Sequence, residues 1–369
     1  MGFMMMMKKG IEEEEQEQNI QENIVDLSSD SVYEILTRVS LDTLFRRCRW
    51  VCKDWQRLVY DTKFKIIHAQ RTQTISGYFI QSSERCRNRV SFVSIIDHSP
   101  KIPSPSLDFL PRNTKIEASS LYGLICCVNN TENIRIPTYY ICKPATREWR
   151  KIPNPRTGFF TEKMAILVIQ SHPTLHYKIL RFSKPKTALG YHCEIFDSNN
   201  WAWKRLEDIK LPPNVILKPG CGIFANGGFH WLTDDDHVFV FYVDQENWTT
   251  IELPQERLGF CKKLVQCEGK IGVFYTTDEW LELWVLEDHC RNQFWKKKYK
   301  VDLRSLHRDT NYSSLLDMYS SDTLLMTSYD EIIWYNCNNN VYAAGKLQEV
   351  PSVSQVYAFQ SDLAPCSFR

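Results

Sequence analysis

One sentence of residues recurs along the chain and limits its fold more than anything else. Tyr140-Ile-Cys-Lys-Pro144-Ala-Thr-Arg-Glu-Trp149-Arg-Lys-Ile-Pro153 reads as a strand, a tight turn, a tryptophan and a second strand ending in proline. The same order returns in Ile195-Phe-Asp197-Ser-Asn-Asn-Trp-Ala-Trp203 and in Phe241-Tyr-Val-Asp244-Gln-Glu-Asn-Trp248-Thr-Thr-Ile-Glu-Leu-Pro254. Weaker copies run from Trp284 to Trp295 and from Trp334 to Val341. The tryptophans at 149, 203, 248 and 295 lie 54, 45 and 47 residues apart. A four-stranded propeller blade occupies about 40–50 residues, so this period predicts blades. The Asn/Asp-rich turn supplies each hairpin, and the large aromatic fills the gap to the next blade.

The rest of the long C-terminal part agrees. Short runs rich in Val, Ile, Phe, Tyr and Trp are broken by Asn, Asp, Gly and Pro, as at 90–96, 164–170, 238–243 and 271–275. About 295 residues follow position 75, enough at this period for six or seven blades.

The N-terminal part differs in kind. Residues 1–22 form an acidic, Gln-rich stretch with the composition of a disordered tail. Residues 23–68 read as a small head of about three helices. Val32, Ile35, Leu36 and Val39 make one apolar stripe, with Ser31 and Glu34 at capping-box spacing. Positions 48, 51, 52, 55, 58 and 59 fall at helical spacing and predict one helix with a broad oily side. So few residues bury too little surface to be stable alone. Part of this surface is therefore expected to face a partner.

Bulk properties narrow the function. The charges balance to +1, so no global field draws the chain to nucleic acid or an anionic membrane. The longest apolar run, 121–128, is far short of a membrane span, and Met4–Met7 lacks the apolar run of a signal peptide. The 13 cysteines contain no Cys-x-x-Cys pair and read as reduced, packed thiols, with no metal or other cofactor expected. A cytoplasmic or nuclear location follows as an expectation. Catalytic patterns fail one by one. His172 and His176 enclose Pro173 and lack the glutamate of a metalloprotease helix. Asp234–Asp236 with His237 reads as a solvated hairpin tip. His192 and Cys193 are strand neighbours that point to opposite faces. Lys296–Lys298 reads as a solvated blade edge.

Two families are resembled. Leu27-Ser28, Glu34-Ile35-Leu36, Val39-Ser40, Val51-Cys52-Lys53-Asp54-Trp55, and Phe64 with His68 follow the order of an F-box, with Ser28 and Ser40 where that family usually has proline. The later region resembles the F-box-associated domain, a kelch-like propeller of plant F-box proteins. The matching segments are Ser120–Cys126, Pro144–Trp149, Asn226–Trp231, Gly269-Lys-Ile and Leu283–Asp288. This resemblance implies a non-catalytic substrate receptor of a Skp–cullin–F-box ubiquitin ligase. Its head would bind a Skp-type adaptor and, through it, cullin and a RING protein. Its propeller, residues 69–369, would hold a target protein. Adaptor contacts are then expected from Leu27, Ile35, Leu36, Val39, Leu44, Val51, Cys52 and Trp55. Two other readings stay open: a propeller binding module acting outside any ligase, and a propeller enzyme whose polar groups converge on the central channel.

Overall fold

The computed structural model describes residues 27–368 apart from the segments 85–86, 96–103, 130–136, 172–173, 186–189, 255–260, 278, 290–291, 305–313, 329–330 and 347–352. The expected acidic tail, the start of the His172–His176 stretch and the end of the 90–96 run lie outside the described residues.

Six antiparallel sheets form among the described residues, and they follow the repeat. Blades 1 to 5 are consecutive four-stranded meanders over residues 114–152, 161–205, 223–252, 261–302 and 314–346. Blade 6 is shared by the two ends of the propeller. The strand Gln355–Ser361 pairs with Ile75–Glu84, which pairs with Arg87–Val93. The molecule is therefore a six-bladed propeller. The seventh blade allowed by chain length does not form among the described residues, because residues 75–93 and 355–361 together make one blade. The runs expected at 164–170, 238–243 and 271–275 appear as Thr161–Gln170, His237–Tyr242 and Lys270–Thr276.

Each repeated sentence turns out to be the hairpin joining the third and fourth strands of a blade. Tyr140 pairs with Lys151, Ile195 with Lys204 and Phe241 with Trp248. The tight turns place Arg147, Trp201, Glu246 and Asn340 at positive φ of 49–59°. The core runs between the blades. Phe182, for instance, meets Trp231, Phe239 and Phe241 of the next blade at ring distances of 5.3–5.8 Å.

Among the described residues the head holds four α-helices, in rough agreement with the expected three or so: α1 (Ser29–Leu36), α2 (Leu41–Arg46), α3 (Lys53–Tyr60) and α4 (Thr62–Thr72). The helix expected across positions 48–59 is broken. Cys48–Trp50 is a short 3-10 turn, and Cys52 is extended at φ −157° and ψ 171° before α3 begins. The apolar spacing continued through the break, so periodicity alone could not reveal it. The expected Ser31–Glu34 capping box is also replaced. Ser28 caps α1 by accepting from the Ser31 amide at 3.1 Å, and Glu34 turns to Arg71 of α4 at 3.0 Å. Ser40 likewise caps α2 through the Thr43 amide. Both serines that stand in place of prolines are thus helix caps.

Candidate functional site

The four helices enclose a small core of Leu36, Leu41, Leu44, Phe45, Cys48, Val59, Tyr60 and Phe64, with Tyr122 of the propeller packed against it. The head sits on one face of the propeller, over the turns that join first and second strands. Arg46 of α2 donates from Nη1 to the Ile169 carbonyl at 2.5 Å, and its guanidinium lies 4.8 Å from the Tyr122 ring centre. Ser171 donates to Asp42. Gln56 of α3 donates to the Glu268 carbonyl at 3.2 Å. At the start of α4, Thr62 Oγ1 donates to Asp322 at 2.5 Å, and the Lys65 ammonium bonds the Tyr319 carbonyl. Part of the head's surplus surface is therefore covered by the chain itself.

The eight expected contact residues separate into three groups. Leu27, Ile35 and Val51 are 53 %, 51 % and 62 % exposed, and Cys52, next to Val51, is exposed as well. Val39 and Trp55 are half-buried at the edge of the head core. Leu36 and Leu44 are sealed within it, at 1 % and 2 % exposure. These two leave no side-chain surface for another molecule in this conformation. They are core residues because they lie on the inner sides of α1 and α2, in the same packed cluster as Phe64 and Val59. Sequence reading also missed Trp50, the most exposed large apolar side chain of the head at 66 %. It falls off the apolar stripe, and only its position beside Val51 could have pointed to it.

The opposite face of the propeller is free of the head. It carries the second-to-third-strand turns and the connections between blades. One connection, 153–160, is held rigidly from beneath. Arg181 and Glu194, 1 % and 0 % exposed, pair at 2.6 Å. Glu194 accepts from the Thr157 amide at 3.1 Å and its hydroxyl at 2.6 Å, and Arg181 donates to the Thr157 hydroxyl and the Phe159 carbonyl. Phe160 stands above this network, 69 % exposed, with Phe159 tilted against His192 at 5.1 Å. A buried ion pair with every partner satisfied fixes geometry more than it adds stability.

The catalytic candidates are accounted for structurally. Cys193 is fully buried, and burial pushes its thiol well up, while His192 pairs with Asp208 at 3.0 Å. Asp234–Asp236 forms the turn between two strands, with Asp236 at φ 65°. Lys297 and Lys298 pair with Glu282 and Glu268. Among the described residues no group of His, Cys, Asp and Glu is placed to hold a metal ion, and no helix is long and apolar enough to cross a membrane.

Comparison with known proteins adds a lineage. The family described as "F-box associated beta propeller domain" matches residues 67–362. The Arabidopsis thaliana F-box protein At5g49610 is 23 % identical over 363 residues, covering 91 % of this chain and 96 % of that protein. The Arabidopsis thaliana F-box protein At5g41720 is 36 % identical over 155 residues, covering 40 % of this chain and 82 % of that one. Among solved structures, TolB from Acinetobacter baumannii superposes with a TM-score of 0.46 at 8 % identity, covering 83 % of this chain and 72 % of that one.

Proposed function

Because this chain belongs to the plant F-box proteins that carry an F-box-associated β-propeller, we propose that it is the substrate-recognition subunit of a Skp–cullin–F-box ubiquitin ligase. The observation that carries this reading is the apolar surface left on the head after it has folded and docked. Leu27, Ile35, Trp50 and Val51 all stay more than half exposed. Burying one such side chain fully contributes about 1.5–3 kcal/mol. Three or four of them offset the cost of association and support a specific adaptor interface. The propeller covers another part of the head, through Arg46, Gln56, Thr62 and Lys65.

In this reading the chain performs no bond chemistry. The head fixes the molecule to a Skp-type adaptor and, through it, to cullin and the RING protein. The propeller presents a target on the face away from the head. Holding the target's lysine near a ubiquitin-loaded enzyme raises its effective concentration, which is the whole of the rate gain this subunit supplies. On that face, the connection carrying Phe159 and Phe160 is tied down by Arg181 and Glu194.

The test is capture of a purified Skp-type adaptor by the full chain. Wild type should bind. Ile35→Asp and Val51→Asp should each weaken binding by about tenfold or more with little change in melting temperature, because neither side chain is in the core. Failure of the folded wild-type chain to bind any Skp-type adaptor defeats the ligase reading.

A further inference from the structure

After the last strand of blade 6, residues 362–368 cross the third-to-fourth-strand hairpin of blade 1 and reach blade 2. Their burial alternates. Asp362, Ala364, Cys366 and Phe368 are half-buried, whereas Leu363, Pro365 and Ser367 are exposed. A period of two marks an extended chain with one edge laid against a surface. On that edge, Cys366 and Phe368 join the apolar cluster shared by blades 1 and 2, beside Tyr122, Leu175 and Trp201.

Charged side chains of blade 1 hold the segment. Lys143, with 7 % of its side chain exposed, donates to Asp362 at 2.5 Å and to the Ala364 carbonyl at 2.6 Å. Glu148 accepts from the Cys366 amide at 2.7 Å. Arg150 donates to the Phe368 carbonyl at 3.1 Å, and its guanidinium lies 3.7 Å from the Trp201 ring centre. Of these contacts, only the one to Asp362 reads a side chain; the others go to backbone groups. Backbone bonds are open to any extended chain, and pockets for alternate side chains then select among chains. The segment carries no strand or helix of its own, so opening it locally costs little of the fold. Its fit is also incomplete. A cavity of about 360 Å³ remains, lined by Tyr122, Leu175 and Trp201 of the blades, Leu41 of α2, and Phe368. The groove therefore has room for a bulkier segment than the one it holds.

We propose that this groove between blades 1 and 2 is a peptide-binding site. Residues 362–368 occupy it in cis, and an extended segment of a partner protein occupies it in trans. That segment carries an acid, followed at alternate positions by small apolar side chains and then an aromatic one. The chain's own segment thus acts as a tethered competitor. The inference does not depend on adaptor binding.

The test is fluorescence anisotropy with a labelled peptide of residues 361–369, Ser-Asp-Leu-Ala-Pro-Cys-Ser-Phe-Arg, under reducing conditions. A short tether gives an effective concentration of about millimolar, so the full wild-type chain should bind the peptide weakly. Full-length Phe368→Ala loosens the resident segment and leaves the groove intact. It should bind the same peptide at least about tenfold more tightly than wild type. Adding Arg150→Gln should remove that gain, and a peptide carrying Cys366→Asp and Phe368→Asp should not bind. The proposal is overturned if folded Phe368→Ala binds the peptide no better than wild type, if Arg150→Gln leaves the gain in place, or if the doubly substituted peptide binds equally well. A wild-type dimer on gel filtration that the peptide dissociates would seat a second copy's segment in the groove and overturn it too. Should Phe368→Ala fail to fold, Asp362→Asn in the full chain makes the same comparison. None of these results bears on capture by a Skp-type adaptor.

Discussion

His230 sits in the second strand of blade 3 with 2 % of its surface exposed, and its Nδ1 donates to the Ile223 carbonyl at 3.2 Å. Burial in an apolar sheet disfavours the charged ring and lowers its pKa from 6.5 to about 4. The unfolded chain thus takes up the proton first. Stability from this group is complete above pH 6.5, falls as the pH drops through that value, and levels off below about 4. The loss by pH 4 is about 3 kcal/mol. Denaturant unfolding between pH 7 and 4 should show His230→Gln with a shallower loss than wild type; equal slopes would refute the assignment. Nothing at residue scale in the sequence foretold this. His230 lies in the segment Asn226–Trp231 that resembles a family strand, but its burial comes from the neighbouring strands. Leu36 and Ile35 carry the same lesson. Both are apolar, adjacent and in the same motif, yet one is sealed and the other is half in water. A pattern of apolar residues identifies a helix face; only packing decides which members of it face inward.

At the scale of elements, the repeated hairpin was the most legible feature. Its turn residues and its period of about 45–54 residues both follow from local chemistry. What the tryptophan does within it was not legible. Trp203 and Trp295 reach across to the preceding blade and donate to the Pro153 carbonyl at 2.7 Å and the Glu252 carbonyl at 2.8 Å. Trp149 and Trp248 instead rest on Tyr140 and Phe239 of their own blades and stay 46 % and 37 % exposed. The expectation that each one fills an inter-blade gap holds for the first pair alone. Trp203→Phe should therefore cost about 1–3 kcal/mol, from a lost hydrogen bond and a small void, and Trp149→Phe well under about 1 kcal/mol. Chemical denaturation of the two variants compares them directly, and equal losses would contradict the stapling role. The helices show a similar limit. Serine caps at 28 and 40 are readable in principle, but Glu34 was drawn away from its expected cap by Arg71, a residue 37 positions later.

For the whole molecule, ring closure depends on residues far apart in sequence. Ile75 pairs with Ser361 and Gln81 with Gln355, so the last strand completes the blade begun by the first two. Removing residues 355–369 would expose the inner edge of Ile75–Glu84, including the buried Phe79 and Ile80. An open, apolar strand edge invites pairing with other chains. The truncated chain should lose its cooperative thermal transition and aggregate on gel filtration, whereas a monomeric, cooperatively melting product would show that closure is dispensable. The sequence by itself determined the kind of object this is: a helical head followed by repeated four-stranded units, because helix and strand periods, turn residues and repeat length are local properties. Only the tertiary structure decided that there are six blades, which part of the head the propeller covers, that Leu36 and Leu44 face inward while Trp50 does not, and that residues 362–368 lie against blades 1 and 2. Those outcomes depend on which surfaces meet across hundreds of residues, and a one-dimensional pattern carries no record of that meeting.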